Sequence, residues 1–482
     1  MSVDQINFLE LIFFYYLFFK IHVILNCKNS IVRGEMLLKR IIMPVLTLIF
    51  MLLILPGCAA IGPDPEQLMA PPRLSGDNKN IQDALELAAG SDIIFKFPQN
   101  GDNRSAFIFF NWDEDGVPSR AIAFYATKQD SQVTHINFLQ KEDEFWVSKG
   151  DFPSGGNDID NVYLEDLRGD GSIQIITEWS MASNRERCMI VFSAAGANVK
   201  IILQENYTDY VIEDMDGDGE KEIVLFYLDT ANKVSAAKMY KLENGEINPQ
   251  GEVSLDGNIT GYDNIKINPV VDGINGIYID ANKGSEDFTP LLAMITELVF
   301  WDGTEFRAPF FNSTTQTNTV TYRVYPDQSR DINGDGRIEI PLLIELPGYD
   351  EKPAGESVWF TDWKQYTDRG FNTVFTAAMN YDDGYYYLIP KDWKNSVTVV
   401  KEPKSKAWRF VPYDSEKNIQ SEELLKIQVF TQDEWNDFDG SGYFLLSDTG
   451  EKVYAGFIPQ NQSDVITQKN AKENFRLLEA GN

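Results

Sequence analysis

The chain has 482 residues, with 73 Asp and Glu against 42 Lys and Arg for a formal charge of −31, 43% hydrophobic and 13% aromatic residues. That carboxylate excess argues against nucleic-acid binding, which needs cations to neutralise phosphates. Three Cys cannot build a disulfide scaffold, and two His leave little room for a zinc cluster or a His-based triad.

Two apolar stretches open the chain. Residues 7–26 are long enough for a membrane span but are interrupted by Glu10 and Lys20. In the second, Met36-Leu37-Leu38-Lys39-Arg40 is a basic n-region, residues 41–55 are an apolar h-region, and Leu55-Pro56-Gly57-Cys58 closes it. That order is a secretory signal peptide over 36–57. Its end resembles the lipobox of bacterial lipoproteins, with Pro56 where Ala or Ser is usual. The resemblance implies that Cys58 is lipidated and begins the mature chain. Two acyl chains then suffice for stable anchoring. Residues 1–35 read as an extension upstream of the true start, because Arg33-Gly34-Glu35 is encodable by a purine-rich, ribosome-binding-like string. A genuine extra span is the other reading. Residues 58–77 are Pro-rich and aperiodic, a tether. Within Asn78–Ala89, apolar residues at 81, 84, 85 and 88 predict a helix that ends at Gly90.

From there Asp/Gly-rich turns recur, beginning at 111, 166, 214, 271, 331, 379 and 437, a spacing of 48–60 residues. After four successive turns comes a strand–turn–strand: EFWVSKGDF, MIVFSAAGANVKIIL, AKMYKLENGEI and LVFWDGTEFRAP. Short aromatic and β-branched strands without long amphipathic helices, four to a unit, predict an all-β fold: a β-propeller of about six or seven blades over 78–390. Residues 391–482 carry strands, a possible short helix and a hairpin. They read equally as a last blade or as a small α+β module.

The turns Asp214-Met215-Asp216-Gly217-Asp218-Gly219-Glu220-Lys221-Glu222 and Asp331-Ile332-Asn333-Gly334-Asp335-Gly336-Arg337-Ile338-Glu339, each followed by a strand, resemble the FG-GAP/VCBS repeats of integrin-type β-propellers. The likeness spans roughly 93–390 and rests on these calcium-type loops, since no Phe-Gly…Gly-Ala-Pro segment is present. Calcium takes six to eight oxygen ligands. Side chains at positions 1, 3 and 5 of such a turn converge, Gly at position 6 permits the sharp bend, and a carbonyl at 7 with an acid at 9 completes the shell. One expected structural calcium site is therefore Asp214, Asp216, Asp218, the Glu220 carbonyl and Glu222. The second is Asp331, Asn333, Asp335, the Arg337 carbonyl and Glu339. Asn111, Asp113 and Asp115 form a weaker candidate. In the 166 turn Arg168 stands where a ligand belongs, so an internal salt bridge is expected there. An EF-hand is excluded, because position 12 is Leu225 or Leu342 and the flanks read as strands.

No catalytic motif emerges: neither G-x-S-x-G nor a phosphate-cradling loop occurs. His135 and Cys188 read as strand residues, and the nine Trp as blade packing. The expectation is a lipid-anchored protein on the extracytoplasmic face of the cell membrane, whose calcium-stabilised propeller is a binding or adhesion module for a protein or cell-wall glycan. A carbohydrate-active propeller enzyme and a purely structural envelope protein are the alternatives.

Overall fold

The computed structural model describes residues 76–90, 92–110, 119–181, 186–193, 199–271, 273–284, 293–349, 358–414, 419–420, 423–463 and 465–478. Cys58, the signal peptide, the tether to residue 75, and the loop of Asn111, Asp113 and Asp115 lie outside the described residues.

The expected helix forms as α1 (Asp77–Ala89). Ile81 and Leu85, one turn apart, are fully buried, and Gly90 at φ 95° closes the helix. At its first residue the Asp77 carboxylate accepts from Lys141 Nζ at 3.3 Å and Trp146 Nε1 at 3.2 Å. These bonds pin the helix to the first sheet.

Six antiparallel sheets follow among the described residues. Sheet 1 holds β1 (Ile93–Phe95), β2 (Phe107–Phe110), β3 (Arg120–Thr127), β4 (Thr134–Glu142) and β5 (Phe145–Pro153), with β1 and β2 both paired to β3. Sheets 2, 3 and 4 are four-stranded meanders. They comprise β6 (Asp158–Glu165), β7 (Gln174–Ser180), β8 (Arg187–Ser193) and β9 (Lys200–Tyr207); β10 (Asp209–Glu213), β11 (Glu222–Asp229), β12 (Val234–Glu243) and β13 (Glu246–Leu255); and β14 (Ile259–Val271), β15 (Ile274–Lys283), β16 (Ala293–Trp301) and β17 (Phe306–Arg307). Sheet 5 runs β18 (Glu339–Glu345), β19 (Trp359–Thr367), β20 (Gly370–Asn380) and β21 (Tyr385–Leu388). Sheet 6 is built from β22 (Val397–Glu402), β23 (Ala407–Asp414), β24 (Ile419–Gln420), β25 (Leu425–Thr431), β26 (Tyr443–Asp448) and β27 (Lys452–Phe457). A short helix α2 (Gln432–Asp437) follows β25, and α3 (Gln468–Asn474) follows sheet 6. The last strand, β28 (Phe475–Leu477), returns to pair with β21 at the edge of sheet 5.

Each sheet packs its face on the next. Ile122, Phe138, Ile175 and Phe192 join sheets 1 and 2; Ile176, Val191, Ile223 and Leu225 join 2 and 3; Val224, Phe226, Ile277 and Val299 join 3 and 4. Tyr278, Leu298 and Ile340 join 4 and 5, and Phe360, Tyr385, Phe410 and Ile427 join 5 and 6. Because a central strand is covered on both faces, β7, β11 and β16 are almost continuously buried, whereas edge strand β13 is largely exposed. Consecutive antiparallel sheets stacked face to face are the blades of a β-propeller. The C-terminal stretch carries features of both expectations: its sheet stacks on sheet 5 as a blade does, while its strand order departs from a simple meander and it adds two helices.

Candidate metal centre

The Asp/Gly turns of sheets 2 and 3 join the first strand of the sheet to the second, and the 331 turn leads into β18 from an isolated Arg330–Glu339 bridge. All three share one hydrogen-bond plan. The first Asp accepts the N–H of position 6 on one oxygen: Gly171 to Asp166 at 2.8 Å, Gly219 to Asp214 at 2.9 Å, Gly336 to Asp331 at 2.7 Å. Position 5 accepts the N–H of position 7: Ser172, Glu220 and Arg337 donate to Asp170, Asp218 and Asp335 at 2.8–2.9 Å. Position 2 is apolar, and its N–H is taken by the side chain at position 9: Leu167 by Gln174, Met215 by Glu222, Ile332 by Glu339, at 2.8–3.0 Å. The Gly at position 6 has φ of 84–89° in each, the left-handed conformation expected of it.

The loops also touch. Arg168 in the sheet 2 loop pairs with Asp170 and with Glu220 of the next loop, each at 3.5 Å. This is the salt bridge expected there, extended to the neighbour. Lys221 N–H donates to the Leu167 carbonyl at 2.6 Å, and Asn275 at the start of β15 donates to the Asp214 carbonyl at 3.0 Å. Asn268, on β14, accepts from Ile338 N–H at 2.9 Å and donates to the Gly336 carbonyl at 3.1 Å. The loops of sheets 2, 3 and 5 and the turn of sheet 4 thus form one contiguous rim. A Cβ on Gly217 would lie 2.8 Å from the Gly273 carbonyl oxygen, so the rim is tight enough to require glycine there.

Part of each expected set comes together: Asp214, Asp216 and Asp218 bring one carboxylate oxygen each within 4.8 Å of one another, without Glu222, and so do Asp331, Asp335 and Glu339. What surrounds them differs. Lys241, on β12, is the cross-strand partner of Glu222: the register pairs Ile223 with Tyr240, one step along. Its Nζ lies 2.8 Å from Asp216, 2.6 Å from Asp218 and 2.7 Å from Glu222, with only 11% of the side chain exposed. Burial alone would lower the Lys241 pKa, but the bonds to these three carboxylates outweigh it and hold the pKa above its ordinary value. At the 331 loop the register pairs Glu339 with Gln365 on β19. The Gln365 amide donates to Asp335 at 2.8 Å and to Glu339 at 2.6 Å, while Asn333 donates to Asp335 at 3.0 Å. Glu339 is fully buried, and burial, joined by the charges of Asp335 and Asp331, pushes its pKa up to about 7.

Asp331, Asp335 and Glu339 offer hard oxygens, and Asn333 and Gln365 each carry an amide oxygen that a 180° amide turn redirects. The 214 loop presents its oxygens to an ammonium already in place.

His135 Nδ1 meets Asp151 at 2.9 Å and its ring stacks on Tyr125 with centroids 5.1 Å apart, so it is a partnered strand residue. Cys188 is 2% exposed on β8, and burial raises its thiol pKa to about 11. Trp179 and Trp363 are fully buried and Trp146, Trp393 and Trp408 nearly so, which is blade packing. Sequence reasoning missed Lys241 and Gln365, although Lys241 stands in a quoted strand–turn–strand; the missing information was the strand register. It also missed the buried Arg323, whose guanidinium bonds Asp280 and Thr296 at 2.9 Å and so ties the segment after β17 to sheet 4.

No protein-family model matches the chain, and no curated protein does. Solved structures with local likeness include the β-propeller domain of the Trilobed protease from Pyrococcus furiosus, at 10% identity over 70% of this chain and 89% of that one, TM-score 0.26. The Dos1 propeller is 7% identical over 75% and 80% of the two chains, TM-score 0.26. An exo-β-1,3-galactanase from Clostridium thermocellum is 8% identical over 80% and 100%, TM-score 0.20. Likeness at this level carries no argument, and the architecture rests on the six stacked sheets.

Proposed function

We propose that this chain is a lipid-anchored protein of the extracytoplasmic membrane face, whose β-propeller is a binding or adhesion module for a protein or cell-wall glycan, with a structural calcium ion in the 331 loop. The observation that carries the reading is the contiguous rim: carboxylate-bearing turns of successive sheets are cross-bonded at one end of the blades, where a rigid loop face recognises partners at little ordering cost. The anchor is supported by Leu55-Pro56-Gly57-Cys58 and the Pro-rich stretch before α1.

Two measurements test it. Replacing Cys58→Ser abolishes incorporation of labelled fatty acid and moves the protein out of the membrane fraction; unchanged labelling would refute the anchor. Thermal unfolding of the full chain gives a higher Tm in calcium than in chelator, as expected of any ion that binds only the folded state, and Asp331→Ala removes the difference. A Tm indifferent to calcium would remove the ion from the reading.

A further inference from the structure

We propose that Lys241 is a tethered counter-ion that takes the place of a divalent cation in the 214 loop, and that the residue facing position 9 across the sheet decides whether such a loop takes an ion. This rests on the calcium reading of the 331 loop only for its second half.

The loops of sheets 3 and 5 are the same device up to that residue. In both, position 1 gathers backbone N–H groups, position 5 takes the N–H of position 7, and a fully buried Glu at position 9 takes the N–H of position 2. The two strands register identically, placing Lys241 opposite Glu222 and Gln365 opposite Glu339. The difference is one of charge. An ammonium is a compact cation with three donors, and Lys241 directs its Nζ at three carboxylates, all within 2.8 Å. Calcium bound to those oxygens would need to sit about 2.3–2.6 Å from them. Sharing Asp216 and Asp218 with Lys241, it would lie close to the Lys241 nitrogen, and two cations so near one another repel strongly. Lys241 would have to leave first, and its side chain is nine-tenths buried by the groups that neutralise it. Sheet 2 shows a third solution. Position 9 is the neutral Gln174, opposite Ser193, and Arg168 within the loop supplies the positive charge to Asp170.

The test is a charge exchange in the full chain, read as calcium stoichiometry by equilibrium dialysis and as Tm in calcium and in chelator. Lys241→Gln binds one more calcium than wild type, and its Tm, lowered by roughly 5 °C in chelator, recovers with calcium. Gln365→Lys, which adds a cation rather than removing one, binds one fewer, and its Tm in chelator is no lower than wild type. The double variant returns to wild-type stoichiometry. If wild type binds an ion that Asp214→Ala removes, or if Lys241→Gln gains none, the proposal is wrong. If the calcium reading of the 331 loop fails instead, Gln365→Lys leaves the count unchanged while Lys241→Gln still gains an ion.

Discussion

At the scale of single residues, the interior of sheet 4 shows how one buried acid keeps its charge while its neighbour keeps its proton. Asp256 and Glu297 are both fully buried. Asp256 pairs with Lys283 Nζ at 2.6 Å and accepts the Asn318 N–H at 2.9 Å, and these bonds outweigh burial and lower its pKa. Glu297 accepts the Asp256 N–H at 2.9 Å and the Asn318 amide at 3.1 Å, but burial dominates and the charge on Asp256 adds to it, pushing its pKa up to about 7 from 4.5. The folded state therefore holds a proton on Glu297 that the unfolded chain releases near pH 4.5. Its contribution to stability is greatest below that pH and is lost as pH climbs through about 7, by up to about 3 kcal/mol. Glu297→Gln keeps the acceptor for Asp256 N–H and carries no titrating group. In chemical denaturation at pH 5 and pH 8, the variant loses less stability across the interval than wild type does, by a margin of about 2 kcal/mol. Equal losses in the two proteins would show that Glu297 does not titrate in this window.

At the scale of elements, the last strand fastens two blades together. Phe475 on β28 is 6% exposed, and its ring lies 5.3 Å from Tyr385 of sheet 5 and 5.4 Å from Tyr454 of sheet 6. Truncating a buried aromatic of this kind costs about 3–5 kcal/mol, so Phe475→Ala lowers the denaturation free energy by about 3 kcal/mol. Arg476→Ala, one residue on and exposed, changes it by under about 0.5 kcal/mol. Similar losses for the two would mean that the strand is a passive edge. This strand was illegible beforehand because its three residues carry no periodicity and its partner, β21, lies nearly a hundred positions earlier. Local signals were readable: LENGEI forms the β12–β13 hairpin, with Asn244 at φ 54° and Gly245 at φ 78°, the two left-handed residues of a tight primed turn. The candidate metal-site residues could be read for the same reason, since each set lies within its own nine-residue loop. Lys241 and Gln365 could not, because a cross-strand neighbour depends on register rather than on spacing.

At the scale of the whole molecule, the repeat spacing located the blades without showing that the turns differ in place. The turns at 166, 214 and 271 join the first strand to the second in sheets 2, 3 and 4, while the one at 379 lies between β20 and β21 within sheet 5, and the one at 437 follows α2. A period survives such shifts because it counts residues, not strands. What unites the array is that five of its hydrophobic clusters each draw on two neighbouring sheets, while smaller ones such as that of Trp363, Ala377 and Tyr386 stay within one, so stability is shared by adjacent blades as it is between units of a repeat protein. A cavity at one interface should then loosen the two sheets that share it before distant ones. Ile190 on β8, 1% exposed, sits in the cluster between sheets 1 and 2 with Ile122, Phe138 and Phe192. Ile190→Ala costs about 2–5 kcal/mol. Native-state hydrogen exchange of this variant shows amides of β3, β4, β7 and β8 losing protection, with β23, β25 and β27 of sheet 6 unchanged. A uniform loss across all six sheets would instead mean that the propeller opens as one cooperative unit, with the ring rather than the blade pair as its element of stability.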